Sequence, residues 1–211
     1  MTTKLDLCKL HKAEYAAPSK PVLVSTKPAR YLAIAGQGAP GGARFTACIG
    51  ALYGAAFTIK MTHKFAGKQD YAVGKLEGQW FFGAEPAMIP KDQWKWKLLI
   101  RTPDFITEKD LKAAAGTMLK RGKSREVEEV QLETLDEGVC VQMLHVGPYD
   151  RENETVALMQ SFAEAGGLKL AGPHHEIYLS DPRRVPPERL KTILRVPALR
   201  QGPSAPVRPR S

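Results

Sequence analysis

The chain has 211 residues, 43% hydrophobic and 25% charged, a composition that excludes disordered, collagen-like and disulfide-stapled classes and allows one sizeable domain or two fused small ones. The net charge is +9, but no basic stripe interleaved with aromatics and no helix-turn-helix signature accompanies it. A solvated basic surface is therefore expected, without a specific nucleic-acid site. No apolar run approaches the roughly 18 residues of a membrane span, and Met1 to Lys12 alternates charge with leucine instead of forming a secretory signal. Cys8, Cys48 and Cys140 are odd in number and scattered. That spacing predicts reduced thiols in a cytoplasmic protein, with no disulfide framework and no metal cluster.

In chain order, residues 1–28 read as an arm with a short helix around Asp6 to Tyr15, broken by Ala17-Pro18-Ser19-Lys20-Pro21. Strands are expected at Val22 to Ser25 and Arg30 to Gly36. The glycine-rich stretch from Gly36 to Gly42 lacks the Gly-Lys-Ser/Thr ending of a phosphate cradle and reads as a loop. From Ala43 to His63, Phe45, Ile49, Leu52, Tyr53, Ala56, Ile59 and His63 recur at three- and four-residue steps, which predicts a long helix with one apolar face. Tyr71 to Phe82 and Trp94 to Thr102 read as strands. Thr107 to Leu119 reads as a helix with Thr107 as its N-cap. Val127 to Thr134 is expected to be extended, and Val139 to Val146 to be a buried strand. Asn153 to Ala165 reads as a third long helix closed by Gly166-Gly167. A strand from His174, a helical turn near Pro187 and a last strand from Lys191 to Val196 follow. Residues 200–211, with Arg200, Arg208 and Arg210 among prolines, read as a disordered tail.

A repeat organises these elements. Lys97-Leu98-Leu99-Ile100-Arg101-Thr102-Pro103 matches Lys191-Thr192-Ile193-Leu194-Arg195-Val196-Pro197 in its Lys, Arg and Pro and in two branched apolar positions. Each copy closes a strand, turn, long helix, strand, strand series. The reading is an α+β domain over residues 29–199, with module one at about 29–103 and module two at about 127–199. The modules form one antiparallel sheet, with helices on one face and a ligand cleft on the other.

The segment Gly172-Pro173-His174-His175-Glu176-Ile177-Tyr178-Leu179-Ser180-Asp181-Pro182 places a carboxylate in the middle of a strand. Alternation puts His174, Glu176 and Tyr178 on one face and His175, Ile177 and Leu179 on the other. A buried acid is costly unless its face opens on a polar cavity or a ligand, or unless it pairs with an arginine such as Arg183 or Arg195. Glu152 reads either as a first-turn acid stabilised by the helix dipole or as the second carboxylate of a pair with Glu176. Trp80, Tyr71, Tyr149 and Tyr178 are candidates for an aromatic wall or for the core. Glu77 is either a second ligand-facing acid or a residue holding a turn. His145 is either a satisfied buried histidine or a base, and Trp94 and Trp96 read as structural. No nucleotide signature, nucleophile triad or metal cluster accompanies these residues, so chemistry free of metal and cofactor is expected.

Tyr71-Ala72-Val73-Gly74-Lys75-Leu76-Glu77-Gly78-Gln79-Trp80, Trp94-Lys95-Trp96-Lys97, Pro103-Asp104-Phe105, His145-Val146-Gly147-Pro148-Tyr149, His174 to Arg184 and Pro187 to Arg195 together resemble the GyrI-like small-molecule-binding family in its free-standing form. The likeness runs collinearly over about residues 4–198. It implies tandem modules and a central pocket for flat, aromatic, often cationic or electrophilic molecules. It also implies a similarity to cyclopropanoid cyclase/hydrolases, which open the strained ring of DNA-alkylating compounds. On that reading Glu176 and Glu152 are the catalytic pair, and Tyr71, Glu77, Trp80, His145, Tyr149 and Tyr178 bind the ligand. The alternatives are a non-enzymatic drug-sequestering protein and, as the family name suggests, a contact with DNA gyrase. The chain departs from the family at Phe81 and Phe82, where a second tryptophan is usual, and at Gln79, where an apolar residue is usual. Glu152 keeps the expected place.

Overall fold

In the computed structural model, residues 4–81 and 89–200 are described. Phe82, the expected end of a strand, and the tail from residue 201 lie outside them. The elements are α1 (Leu7–Leu10), α2 (Lys12–Tyr15), β1 (Val22–Ser25), β2 (Ala29–Gln37), α3 (Ala43–Phe65), β3 (Leu76–Phe81), β4 (Lys95–Arg101), α4 (Glu108–Lys120), β5 (Gln131–Leu135), β6 (Val139–Val146), α5 (Glu152–Ala165), β7 (Leu168–Leu170), β8 (His174–Tyr178) and β9 (Lys191–Arg200). The nine strands form one antiparallel sheet in the order β1-β6-β9-β8-β3-β4-β2-β5, with β7 added on β9.

The two modules are visible in that order. Module one contributes β2, α3, β3 and β4, and module two contributes β6, α5, β8 and β9. They meet at the β3–β8 seam, where Gly78 lies opposite Glu176 and Trp80 opposite His174. The repeated segments are β4 and β9, the central strand of each half.

Local chemistry accounts for the helices. Thr107 caps α4 in a complete capping box, its hydroxyl accepting from the Asp110 amide while the Asp110 carboxylate accepts from the Thr107 amide. By length and composition α3 could cross a membrane, yet its Phe45, Cys48, Leu52, Ala55, Ile59 and His63 stripe is buried. That stripe packs with Leu32, Ile34, Trp96, Leu98 and Ile100 of the sheet, as expected of a core helix. Leu52 is fully buried there, so Leu52→Ala should cost about 2–5 kcal/mol. A smaller core under α5 joins Met159 and Ala163 to Val141, Met143, Leu194 and Val196.

Two segments differ in extent: a 3-10 turn over Arg125–Glu129 replaces the start of the extended stretch expected from Val127, and the last strand reaches Arg200, which was assigned to the tail. Beyond these, the sequence reading differs from the structure in three places. The arm holds two four-residue helices instead of one longer helix. Tyr71 lies before β3, in an isolated bridge with Leu5. The third difference concerns the cleft. Trp80 stacks on Phe45 of α3 and pairs across the seam with His174, while Leu194 beside Glu176 packs under α5. The acids of β8 therefore share the face that carries the helices, between the two modules. The opposite face at the seam is covered by α2, whose Glu14 and Tyr15 bond to residues of β4 and β3.

Candidate functional site

The site is built from two backbone devices. The first is β8, which presents His174, Glu176 and Tyr178 to the helix side. The second is the exit of β6. Gly147 adopts a φ of 144°, which only glycine tolerates readily. Pro148 and a 3-10 turn over Tyr149–Arg151 then deliver the chain into α5. Glu152 thus opens α5 with its side chain pointed back at the sheet, and it is 8% exposed.

Here two carboxylates meet one imidazole. His174 Nε2 lies 3.5 Å from Glu176 Oε1 and 3.8 Å from Glu152 Oε2. Glu152 Oε1 is buried without a hydrogen-bond partner. Burial first, and then the nearby Glu176 carboxylate, push the Glu152 carboxyl up to about 8. Burial alone would lower His174, but its contacts with Glu152 and Glu176 prevail and raise it to about 9. At neutral pH the site therefore holds an imidazolium and a protonated acid beside a second carboxyl group. The alternative partners for Glu176 are engaged elsewhere: Arg183 pairs with Asp181, and Arg195 with Glu137.

An aromatic rim adjoins the acids. Tyr149 and Tyr178 meet edge to face with centroids 6.0 Å apart. The Tyr149 hydroxyl is pushed up to about 12, by burial and then by the Glu176 and Glu152 charges, so it stays a neutral donor. Trp80 stacks on Phe45 at 5.8 Å and meets Trp94 edge-on at 5.8 Å. Gly78 allows this convergence. A Cβ there would lie 2.9 Å from the Tyr178 hydroxyl and 3.5 Å from Trp80 Nε1.

The structure thus brings together Glu152, Glu176, Tyr149, Tyr178 and, at the edge, Trp80. Three of the other candidates are placed elsewhere. Tyr71 packs edge-on to Phe105 in the core of module one. His145 shares Nδ1 with the Thr155 hydroxyl at 2.8 Å and directs Nε2 to the Pro148 carbonyl at 3.2 Å, so both ring nitrogens are satisfied. Glu77 is fully buried on the far face of the sheet, because its neighbour Gly78 is the residue in register with Glu176. Trp94 and Trp96 donate their indole N–H groups to the Ile89 and Gly38 carbonyls, a structural role. Sequence reasoning undervalued His174 and Gly78. Alternation on β8 marked the first, but nothing local marked the second.

Glu152, His174 and Glu176 also offer one nitrogen and two carboxylate oxygens within 4.8 Å of one another. That donor set suits a divalent cation once His174 has lost its proton. It equally suits an organic cation, or a reaction needing one acid and one base.

A profile of the GyrI-like small molecule binding domain matches residues 100–199. An uncharacterized conserved protein from Listeria innocua is 38% identical with a TM-score of 0.88, over 93% of this chain and 100% of that chain. A structure described as a hydrolase from Listeria innocua is also 38% identical, with a TM-score of 0.85 over the same shares. The EcmrR C-terminal domain is 10% identical, with a TM-score of 0.56 over 86% of this chain and 98% of that one, a likeness of fold alone. None of the curated proteins compared with the chain matches it.

Proposed function

Because the chain belongs to the GyrI-like small-molecule-binding family, we propose that it takes flat, aromatic, cationic or electrophilic compounds at the β3–β8 seam and hydrolyses strained cyclopropane-type groups there. The observation that carries this reading is the buried Glu152 carboxyl with one oxygen unpartnered, poised beside His174, Glu176 and two tyrosines. An acid kept protonated up to about 8 can donate at neutral pH. The hydrolase description of a relative 38% identical agrees with it.

In the proposed reaction Glu176 accepts a proton from water as the water oxygen bonds to a ring carbon. The ring C–C bond breaks, and its electron pair moves into the conjugated carbonyl. Glu152 protonates the resulting enolate or phenolate oxygen. One water is added across one bond, and no redox partner is needed. His174, shared between the acids, returns the proton from Glu176 to Glu152 for the next cycle. Tyr149, Tyr178 and Trp80 hold the flat ring system and exclude bulk water.

The test is mass spectrometry of a cyclopropane-bearing DNA alkylator incubated with the protein and, separately, with Glu176→Gln. Catalytic formation of the water adduct by the wild type alone is the expected result. Unchanged compound, with tight binding of an aromatic cation such as ethidium, moves the reading to a sequestering protein. Neither turnover nor binding overturns both.

A further inference from the structure

Behind the seam, on the face away from α3 and α5, lies a second ionisable cluster that the proposed reaction does not touch. His175, between His174 and Glu176 in sequence, points the other way and is fully buried. Its Nε2 lies 3.0 Å from Glu77 Oε2, and its Nδ1 lies 2.9 and 3.0 Å from the two oxygens of Glu137. A ring whose two nitrogens both face carboxylates must donate from both, so His175 is an imidazolium. Arg195 of β9 grips Glu137 at 3.3 Å, Gln142 at 2.9 Å and the backbone carbonyl of Glu14. Arg101 of β4 donates to the Glu14 carboxylate at 2.7 Å. Tyr15 donates to Glu77 at 2.7 Å, and Gln142 donates to the Ala13 carbonyl at 3.1 Å. Gln79 and Tyr31 complete the surroundings.

Two features make this more than a buried salt bridge. First, the charges close: Glu14, Glu77 and Glu137 are matched by Arg101, Arg195 and the His175 imidazolium. Second, Arg101 and Arg195 are the same position of the internal repeat, one from each module, and both bind the one arm residue Glu14. The arm therefore sits across the junction of the two halves and ties them from behind. Between Glu77 and the front site stands only the backbone of β3 and β8, where Gly78 pairs with Glu176 and Gln79 with His175.

We propose that His175 and the arm residues Glu14 and Tyr15 are positioning residues for the small-molecule site, holding the β3–β8 register that aims His174 and Glu176 at Glu152 on the opposite face. The proposal rests on the functional reading above for its consequence, though not for its test. Loosening the arm changes the front site without touching it, so ligand affinity and arm docking are coupled in both directions.

The experiment uses the full chain and three variants, Tyr15→Phe, Glu14→Gln and His175→Gln. It follows the His174 ring by nitrogen-15 NMR across pH, alongside ethidium binding. Coupling through a rigid seam should move the His174 midpoint by about 0.5 pH unit and weaken ethidium by about threefold in Tyr15→Phe, with larger effects in the other two. A purely structural arm would lower the unfolding midpoint and leave the His174 titration in place. An unmoved His174 midpoint in every variant that folds therefore overturns the proposal. Tyr15→Phe, which removes a single hydroxyl, supplies that answer if His175→Gln fails to fold. Should the wild type neither bind ethidium nor turn over the alkylator, the small-molecule reading fails while the His174 titration still decides this one.

Discussion

The two faces of the β3–β8 seam carry similar side chains in opposite electrostatic states. On the front, two glutamates share one histidine at 3.5 and 3.8 Å, and one glutamate oxygen has no partner. On the back, three glutamates, one histidine and two arginines engage one another at hydrogen-bond distances of about 3 Å. Both clusters are buried and both draw on residues 174–176 of one strand. Burial alone does not mark a functional group. The mark is burial with an incomplete set of partners, because such a group gains by receiving a ligand whereas a satisfied one can only lose.

Mutation should separate the faces most sharply. Arg195→Met takes away the buried guanidinium shared by Glu137, Gln142 and the Glu14 backbone carbonyl, and should cost about 3–5 kcal/mol in denaturant unfolding. Glu152→Gln replaces an acid that is already neutral at pH 7 and should cost less than about 1 kcal/mol. Equal losses would erase the contrast.

Next in size is the response to pH. Glu152 rises from 4.5 to about 8, and His174 from 6.5 to about 9. In both cases the folded state holds protons that the unfolded chain releases, so the unfolded state binds fewer and stability falls as pH rises. The contribution from His174 is complete below about 6.5 and lost through about 9, and that from Glu152 is complete below about 4.5 and lost through about 8. The melting temperature should fall by about 5–10 °C between pH 7 and 9.5, and by distinctly less in a Glu152→Gln, His174→Gln double variant.

Gly78→Ala forces a methyl group against the Tyr178 hydroxyl, and should cost about 1–3 kcal/mol while displacing the aromatic rim. Calorimetry with ethidium reads both effects, and unchanged affinity would remove Tyr178 from the site. The smallest expected effect is on affinity for that permanent cation, which should rise by about tenfold from pH 7 to 9 as Glu152 ionises. Glu152→Gln should flatten the rise.

Much of the architecture was legible in the chain. The Lys-x-x-x-Arg-x-Pro repeat located β4 and β9, the 3.6-residue periodicity gave α3, and the Gly166-Gly167 stop marked the end of α5. Alternation assigned His174, Glu176 and Tyr178 to one face of β8. The illegible parts depend on pairing between distant segments. Glu77 lies 98 residues from His175. A shift of one residue in the β3–β8 register would have sent Glu77 to the front and Gly78 to the back. Composition carries no information about that register. The arm was equally opaque: Glu14 and Tyr15 are ordinary helix residues until the strands they cover are in place. His145 sits in an apolar strand because Thr155 and the Pro148 carbonyl satisfy its nitrogens, and Thr155 becomes a neighbour only when α5 docks on the sheet.

The outermost strands have a consequence for behaviour at high concentration. An open sheet exposes two unpaired backbone rims, and each is a template on which another molecule can add. Here one rim is β1, four residues long and bracketed by Pro21 and Pro28, and the other is β5, five residues long with Glu133 among them. Proline has no amide to donate and a carboxylate resists stacking against its own copy, so both rims are blunted against stranded growth into aggregates.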